Sequence, residues 1–206
     1  MPLAQLISAT ALHARLQEPN LVLLDCRFAL EDPGYGARSH AEGHLPGAHF
    51  ADLERDLSAP VVKGVTGRHP LPDPQMLMDR LRSWGIDNDS TVVLYDDGPG
   101  AFAARAWWLL AWLGKRDGVW LLDGGLKSWK AAGLALTTDM PAQRAGRFSG
   151  QADHSLLLSA AQLQQRLGKR VLTPWPRQMA PVLTTRFATR PGELASFSMF
   201  STFGTP

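Results

Sequence analysis

Three short apolar runs constrain this chain more than any other feature: Leu21-Val22-Leu23-Leu24, Thr91-Val92-Val93-Leu94-Tyr95 and Val119-Trp120-Leu121-Leu122. Each is four or five residues long, bounded by turn formers, and apolar on both faces rather than on alternate positions. Such runs are strands covered on two sides, which is the environment of a parallel sheet inside an α/β domain. The segments between them carry helical signals. Ser8 is placed to cap a helix with Leu12 and Leu16 one turn apart, ended by Pro19-Asn20. Met76, Leu77, Leu81 and Trp84 mark a second helix, closed by Gly85. A third runs from Ala101 to about Leu113, stopped by Gly114, with Phe102, Ala106, Trp107, Leu110 and Leu113 as its packing stripe. A fourth follows Asp123-Gly124-Gly125 through Trp129 to Gly133. Between residues 25 and 74 the chain is punctuated by Gly and Pro, with one short strand at Ala48-His49-Phe50. Alternation of apolar strands with helices predicts βα units around a parallel sheet.

Composition narrows the class of function. With 206 residues, 45% apolar and 19% charged, there is material for a sizeable core. The net charge of +2 contains no basic stripe, which disfavours nucleic-acid binding. No apolar run approaches the roughly 20 residues of a membrane span, and the first residues lack the basic start of a signal peptide. Cys26 is the single cysteine, so an intramolecular disulfide is excluded and a cytoplasmic location is expected.

A weak repeat divides the chain. Residues 7–16, ISATALHARL, are echoed by residues 158–167, LSAAQLQQRL. The expected organisation is a domain over residues 1–140, a linker over 141–156, and the start of a second copy over 157–206. That copy loses its pattern: the counterpart of Asp25-Cys26-Arg27 falls at Thr173-Pro174-Trp175-Pro176-Arg177, and the last 34 residues hold five prolines. A truncated or frameshifted second domain, poorly ordered after residue 171, is expected, with a real terminal extension as the alternative.

Gly43-His44-Leu45-Pro46-Gly47-Ala48, with Asp25-x-Arg27 upstream, resembles the Gly-His-Ile/Leu-Pro-Gly-Ala motif of the rhodanese domain. Arg68-His69-Pro70-Leu71-Pro72, Ala104-Arg105-Ala106-Trp107-Trp108 and Leu122-Asp123-Gly124-Gly125-Leu126-Lys127-Ser128-Trp129 are similar to the N-terminal half of tandem rhodaneses, the thiosulfate and 3-mercaptopyruvate sulfurtransferases. The resemblance implies a three-layer α/β fold and sulfur transfer from thiosulfate or 3-mercaptopyruvate to cyanide or a thiol through a cysteine persulfide, with no cofactor. It also implies small sulfur anions and a protein thiol as partners. In active domains of this family the loop after the strand equivalent to Thr91–Tyr95 opens with the nucleophilic cysteine. Here Asp96 stands in that position, followed by Asp97, and no Cys-x-x-Gly-x-x-Ala/Thr loop occurs in the chain. A carboxylate cannot take up sulfane sulfur, so an inactive half is expected. The alternative is a non-catalytic module for protein binding or regulation, engaging a cationic partner through Asp96–Gly100.

Five further groups bear on the site. Cys26 is the rival nucleophile beside Arg27, but a small apolar filler is the expected role. His40 and His44 have an i, i+4 spacing, yet Gly43 and Pro46 are expected to break the helix a metal pair would need, leaving His44 to bond backbone; His49 completes that group. His69 matches a family histidine that faces the active site and joins a proton relay with an aspartate resembling Asp52. Gly98-Pro99-Gly100 lacks a third glycine and is not a nucleotide loop. Arg105 is expected to bond backbone or a carboxylate behind the loop.

Overall fold

The computed structural model describes residues 4–166. Residues 167–206, on which the expected disorder after 171 and the break in the second copy fall, lie outside the described residues. Five parallel strands form one sheet: β1 (Gln5–Ile7), β2 (Leu21–Asp25), β3 (Ala48–Phe50), β4 (Thr91–Tyr95) and β5 (Val119–Leu122), in the order β1-β5-β4-β2-β3. The register sets Val22 beside Val92 and Asp25 beside Tyr95. The helices are α1 (Ala9–His13), α2 (Tyr35–Glu42), α3 (Pro74–Ser83), α4 (Ala101–Trp112), α5 (Gly125–Ala131) and α6 (Ala160–Arg166).

Because side chains alternate along a strand, each apolar run feeds two cores. Val22, Leu24, Val92 and Leu94 face α3 and α4, joining Leu77, Leu81, Trp84, Leu109, Leu110 and Trp112. Leu23, Val93, Tyr95 and Leu122 face the other way, onto Leu12 of α1 and Leu126 and Trp129 of α5. The sheet is therefore the middle of three layers, as the unbroken apolar runs require.

Three features depart from the expectation. Gln5–Ile7 pairs with β5 as an edge strand too short to announce itself in the sequence. Residues 35–42 form a helix inside the stretch read as Gly- and Pro-punctuated loop: Gly34 and Gly43 flank it, and Gly36 sits in its first turn where a Cβ would stand 2.1 Å from the Arg27 carbonyl oxygen. Residues 141–156 contain only a single 3₁₀ turn at His154–Leu156, as a linker would, but they are strapped to the domain. The Gly146 and Phe148 amides donate to Arg82 and Ile86, the Gln151 and Asp153 amides donate to Leu113 and Trp112, and Phe148 is fully buried in the α3/α4 core. Burying that ring contributes roughly 2–3 kcal/mol, enough to hold a segment that has no secondary structure of its own.

The repeated segment keeps its local geometry. Ser8 Oγ accepts from the Ala11 amide at 3.2 Å at the start of α1, and Ser159 Oγ accepts from the Gln162 amide at 3.2 Å at the start of α6. Both serines satisfy an orphan amide of the first turn.

Candidate functional site

The loop after β4 closes around a carboxylate. Asp96 is buried, and its Oδ1 accepts from the Gly98 and Gly100 amides, both at 3.0 Å. Its Oδ2 accepts from the Phe102 and Ala103 amides of the first turn of α4 at 3.1 and 3.2 Å. The turn is possible because Gly100 caps the helix in the left-handed region, with φ of +89°. It is braced from behind: the Leu126 amide donates to the Asp96 carbonyl at 2.9 Å, and a Cβ on Gly125 would stand 2.4 Å from that oxygen. Converging amides at a helix N-terminus form an anion cradle. In this chain the cradle is filled by its own side chain. Burial pushes the Asp96 carboxyl above the ordinary carboxylate value, and the four amides pull against that rise. Asp97 accepts the Tyr35 hydroxyl from α2 with one of its two oxygens. That bond and burial raise the Tyr35 hydroxyl above its usual value.

Behind the loop lies a buried ion pair. Asp25 is wholly buried and Arg27 is 4% exposed; Arg27 Nε donates to both Asp25 oxygens at 3.0 and 2.9 Å. Arg27 Nη2 bonds Asp25 and the Gly43 carbonyl, and the Tyr95 hydroxyl donates to Asp25 at 2.9 Å. The Asp-x-Arg pair thus ties the end of β2 to the end of β4 and to the Gly43 turn. Cys26 projects to the opposite face, among α3/α4 core residues, with its thiol toward the Leu24 carbonyl. Burial and the neighbouring Asp25 and Asp96 charges push that thiol well above its ordinary value, so it is a filler rather than a nucleophile.

The histidines separate into two groups. His40 lies in α2, but the helix ends at Glu42 with Gly43 as its cap, so His44 falls outside it and the helical pairing is broken at Gly43 as expected; the two rings stack at 3.8 Å. Their nitrogens go to backbone: His40 Nε2 faces the Ala48 carbonyl at 2.9 Å, and His44 faces the His40 and Asp139 carbonyls at 2.7 and 3.1 Å. His49 is half-buried beside them. No cluster of three or more potential ligands occurs among the described residues.

His69 sits beyond the other side of the loop, edge-on to Phe28, which in turn meets Phe102. Its Nε2 is buried without a hydrogen bond, and the nearest carboxylate is Glu54, at 3.8 Å. Burial and the Arg105 charge lower its pKa. The structure does not join His69 to Asp52. Asp52 accepts from the Glu54 and Arg55 amides and from Arg55 Nε, closing a turn that points Glu54 outward. Among the described residues Arg105 has no carboxylate partner; it donates to the Leu57, His69 and Pro70 carbonyls and the Ser58 hydroxyl, gathering the loops that hold His69. Burial lowers its pKa to about 10.

Tyr35 and Glu54 were not legible as site residues. Tyr35 needed the helix at 35–42 to be recognised, and Glu54 needed the Asp52 turn; an Asp two residues before Glu54 is the only signal, and a weak one.

Comparison with known proteins supports the geometry. The model of the rhodanese-like domain matches residues 8–132. A Pseudomonas aeruginosa protein named "Probable 3-mercaptopyruvate sulfurtransferase" is 70% identical over 169 residues, covering 82% of this chain and 60% of that protein. The thiosulfate sulfurtransferase of Cricetulus griseus is 33% identical over 153 residues, covering 72% and 49%. The crystal structure of SseA from Escherichia coli, described as a 3-mercaptopyruvate sulfotransferase, superposes with a TM-score of 0.71 at 28% identity over 80% of this chain and 62% of that one. The chain spans about half to three fifths of the length of these relatives. On the domain match and on the sheet with its closed loop after β4, the chain belongs to the rhodanese-like domain family.

Proposed function

We propose that this chain is the non-catalytic half of a sulfurtransferase that moves sulfane sulfur from thiosulfate or 3-mercaptopyruvate to cyanide or a thiol, and that it is inactive alone. The carrying observation is Asp96: it holds the position of the nucleophile and occupies all four amides that would otherwise receive a sulfur anion. Sulfur transfer through a persulfide needs a thiolate to attack the donor's sulfane sulfur and expel sulfite or pyruvate enolate. Cys26, buried and with a raised pKa, is unsuited to that attack. A further segment would supply the cysteine, and the matched capping of α1 and α6 supports a second copy beginning near residue 157. His69, with Glu54 rather than Asp52 as its neighbouring carboxylate, is the residue this half would bring to a shared site as proton carrier. The alternative, a module gripping a cationic partner through Asp96–Gly100, lacks support because Asp96 is buried and spends both oxygens on the loop's own amides.

Assays of the full chain with thiosulfate or 3-mercaptopyruvate as donor and cyanide as acceptor test this directly. No turnover and no mass gain of one sulfur atom are expected. Turnover abolished by Cys26→Ser would overturn the proposal.

A further inference from the structure

A cleft of about 700 Å³ opens between α2 and α5, on the Tyr35–Asp97 side of the closed loop and away from His69. Its volume lies in the range of small-ligand sites, about 300–1,000 Å³. Its floor holds one end of a buried cation. Arg27 lines the cleft, and while its Nε and Nη2 are committed to Asp25 and Gly43, its Nη1 forms no hydrogen bond to any described residue. A nine-tenths buried guanidinium with one unused pair of N–H donors is a recognition group for a carboxylate or similar oxyanion.

The walls carry both signs of charge. On α5, Lys127 and Lys130 stand one turn apart, exposed, with no hydrogen bond or ion pair to any described residue. On the α2 side, Glu42 likewise forms neither, and Asp97 keeps one oxygen beyond its bond from Tyr35. Leu126 and Leu136 supply an apolar wall, and Ser39 a hydroxyl. A simple anion attracted by Arg27 and the lysines would face the Glu42 and Asp97 carboxylates, and a simple cation would face the three basic groups. Only a ligand bearing both charges matches all five.

We infer that the α2/α5 cleft binds a zwitterion of amino-acid to tripeptide size, its carboxylate on Arg27, Lys127 and Lys130 and its ammonium on Glu42 and Asp97. The site is independent of the sulfur-transfer proposal, because it uses neither the cradle nor His69.

The test is titration of the ¹⁵N-labelled full chain with the peptide Gly-Leu-Gly, following the Tyr35, Ser39, Gly43 and Leu126 amide signals. Saturable shifts with a Kd on the order of 1 mM are expected, since exposed charge pairs contribute little each. N-acetylation or C-terminal amidation of the peptide should each weaken binding by about fivefold, as should Glu42→Ala and the pair Lys127→Ala with Lys130→Ala, surface changes that leave the core intact. Shifts that do not saturate, blocked peptides that bind as well as the free one, or variants that bind unchanged would each overturn the inference.

Discussion

Replacing Asp96 with Ala measures what the self-filled cradle contributes. The change strands four amides that Asp96 now accepts from at 3.0–3.2 Å. A buried N–H left without a partner costs about 1–3 kcal/mol, which would total several times that for four. Two discounts apply. Gly98 lies at an exposed loop tip and Gly100 is half-buried, so water can reach their amides, leaving Phe102 and Ala103 as the main losses. Removing the carboxylate also relieves the burial that raises its pKa. A net destabilisation of about 2–3 kcal/mol remains, or a fall in Tm of roughly 4–12 °C for a chain of this size. Asp96→Asn keeps one acceptor but turns an NH₂ toward two of the amides, so it should recover less than half of that loss. Sulfate should raise the Tm of Asp96→Ala more than that of the parent chain, because an anion can re-enter the emptied cradle. Thermal and urea unfolding followed by circular dichroism supply both numbers. Asp96→Ala within 0.5 kcal/mol of the parent, a margin typical of a neutral surface change, would refute the view that the carboxylate organises the loop.

Other expectations follow from the buried polar groups. Arg27→Met leaves Asp25 charged and buried with the Tyr95 hydroxyl as its remaining side-chain partner, and should cost about 3–5 kcal/mol in urea unfolding; a loss under 1 kcal/mol would contradict the role given to the pair. Burial lowers the pKa of His40, His49 and His69, so the folded protein holds them neutral while the unfolded chain binds protons below about pH 6.5. Their contribution is therefore present above that pH and is lost on acidification through the lowered folded values; the urea midpoint should fall from pH 7.5 to 5.5, and an unchanged midpoint would count against it. Cys26 should react with a thiol reagent such as DTNB only at the rate of unfolding, and fast reaction in native buffer would reopen its candidacy as nucleophile.

Much of this protein was decided by local sequence. Unbroken apolar runs read as strands covered on both sides, and the capping Ser8 with Gly85, Gly114 and Gly133 after α3, α4 and α5 marked helix ends, so the three-layer parallel sheet was legible before any coordinate. The replacement of a nucleophile by Asp96 was legible too, because it is a matter of residue identity at a motif position. Its consequence was not. That the carboxylate reaches back to four amides follows from where α4 begins relative to β4, and that depends on Gly100 and on Gly125 packing behind the loop. Pairings across long sequence separations were likewise settled only by the fold. Tyr35 meets Asp97, Glu54 rather than Asp52 lies beside His69, and residues 141–156 are bound to α3 and α4 although nothing in their sequence distinguishes a strap from a linker. Local propensity reads contacts within a turn or two; partners many tens of residues apart are chosen by packing, which brings side chains together without leaving a periodic trace in either segment.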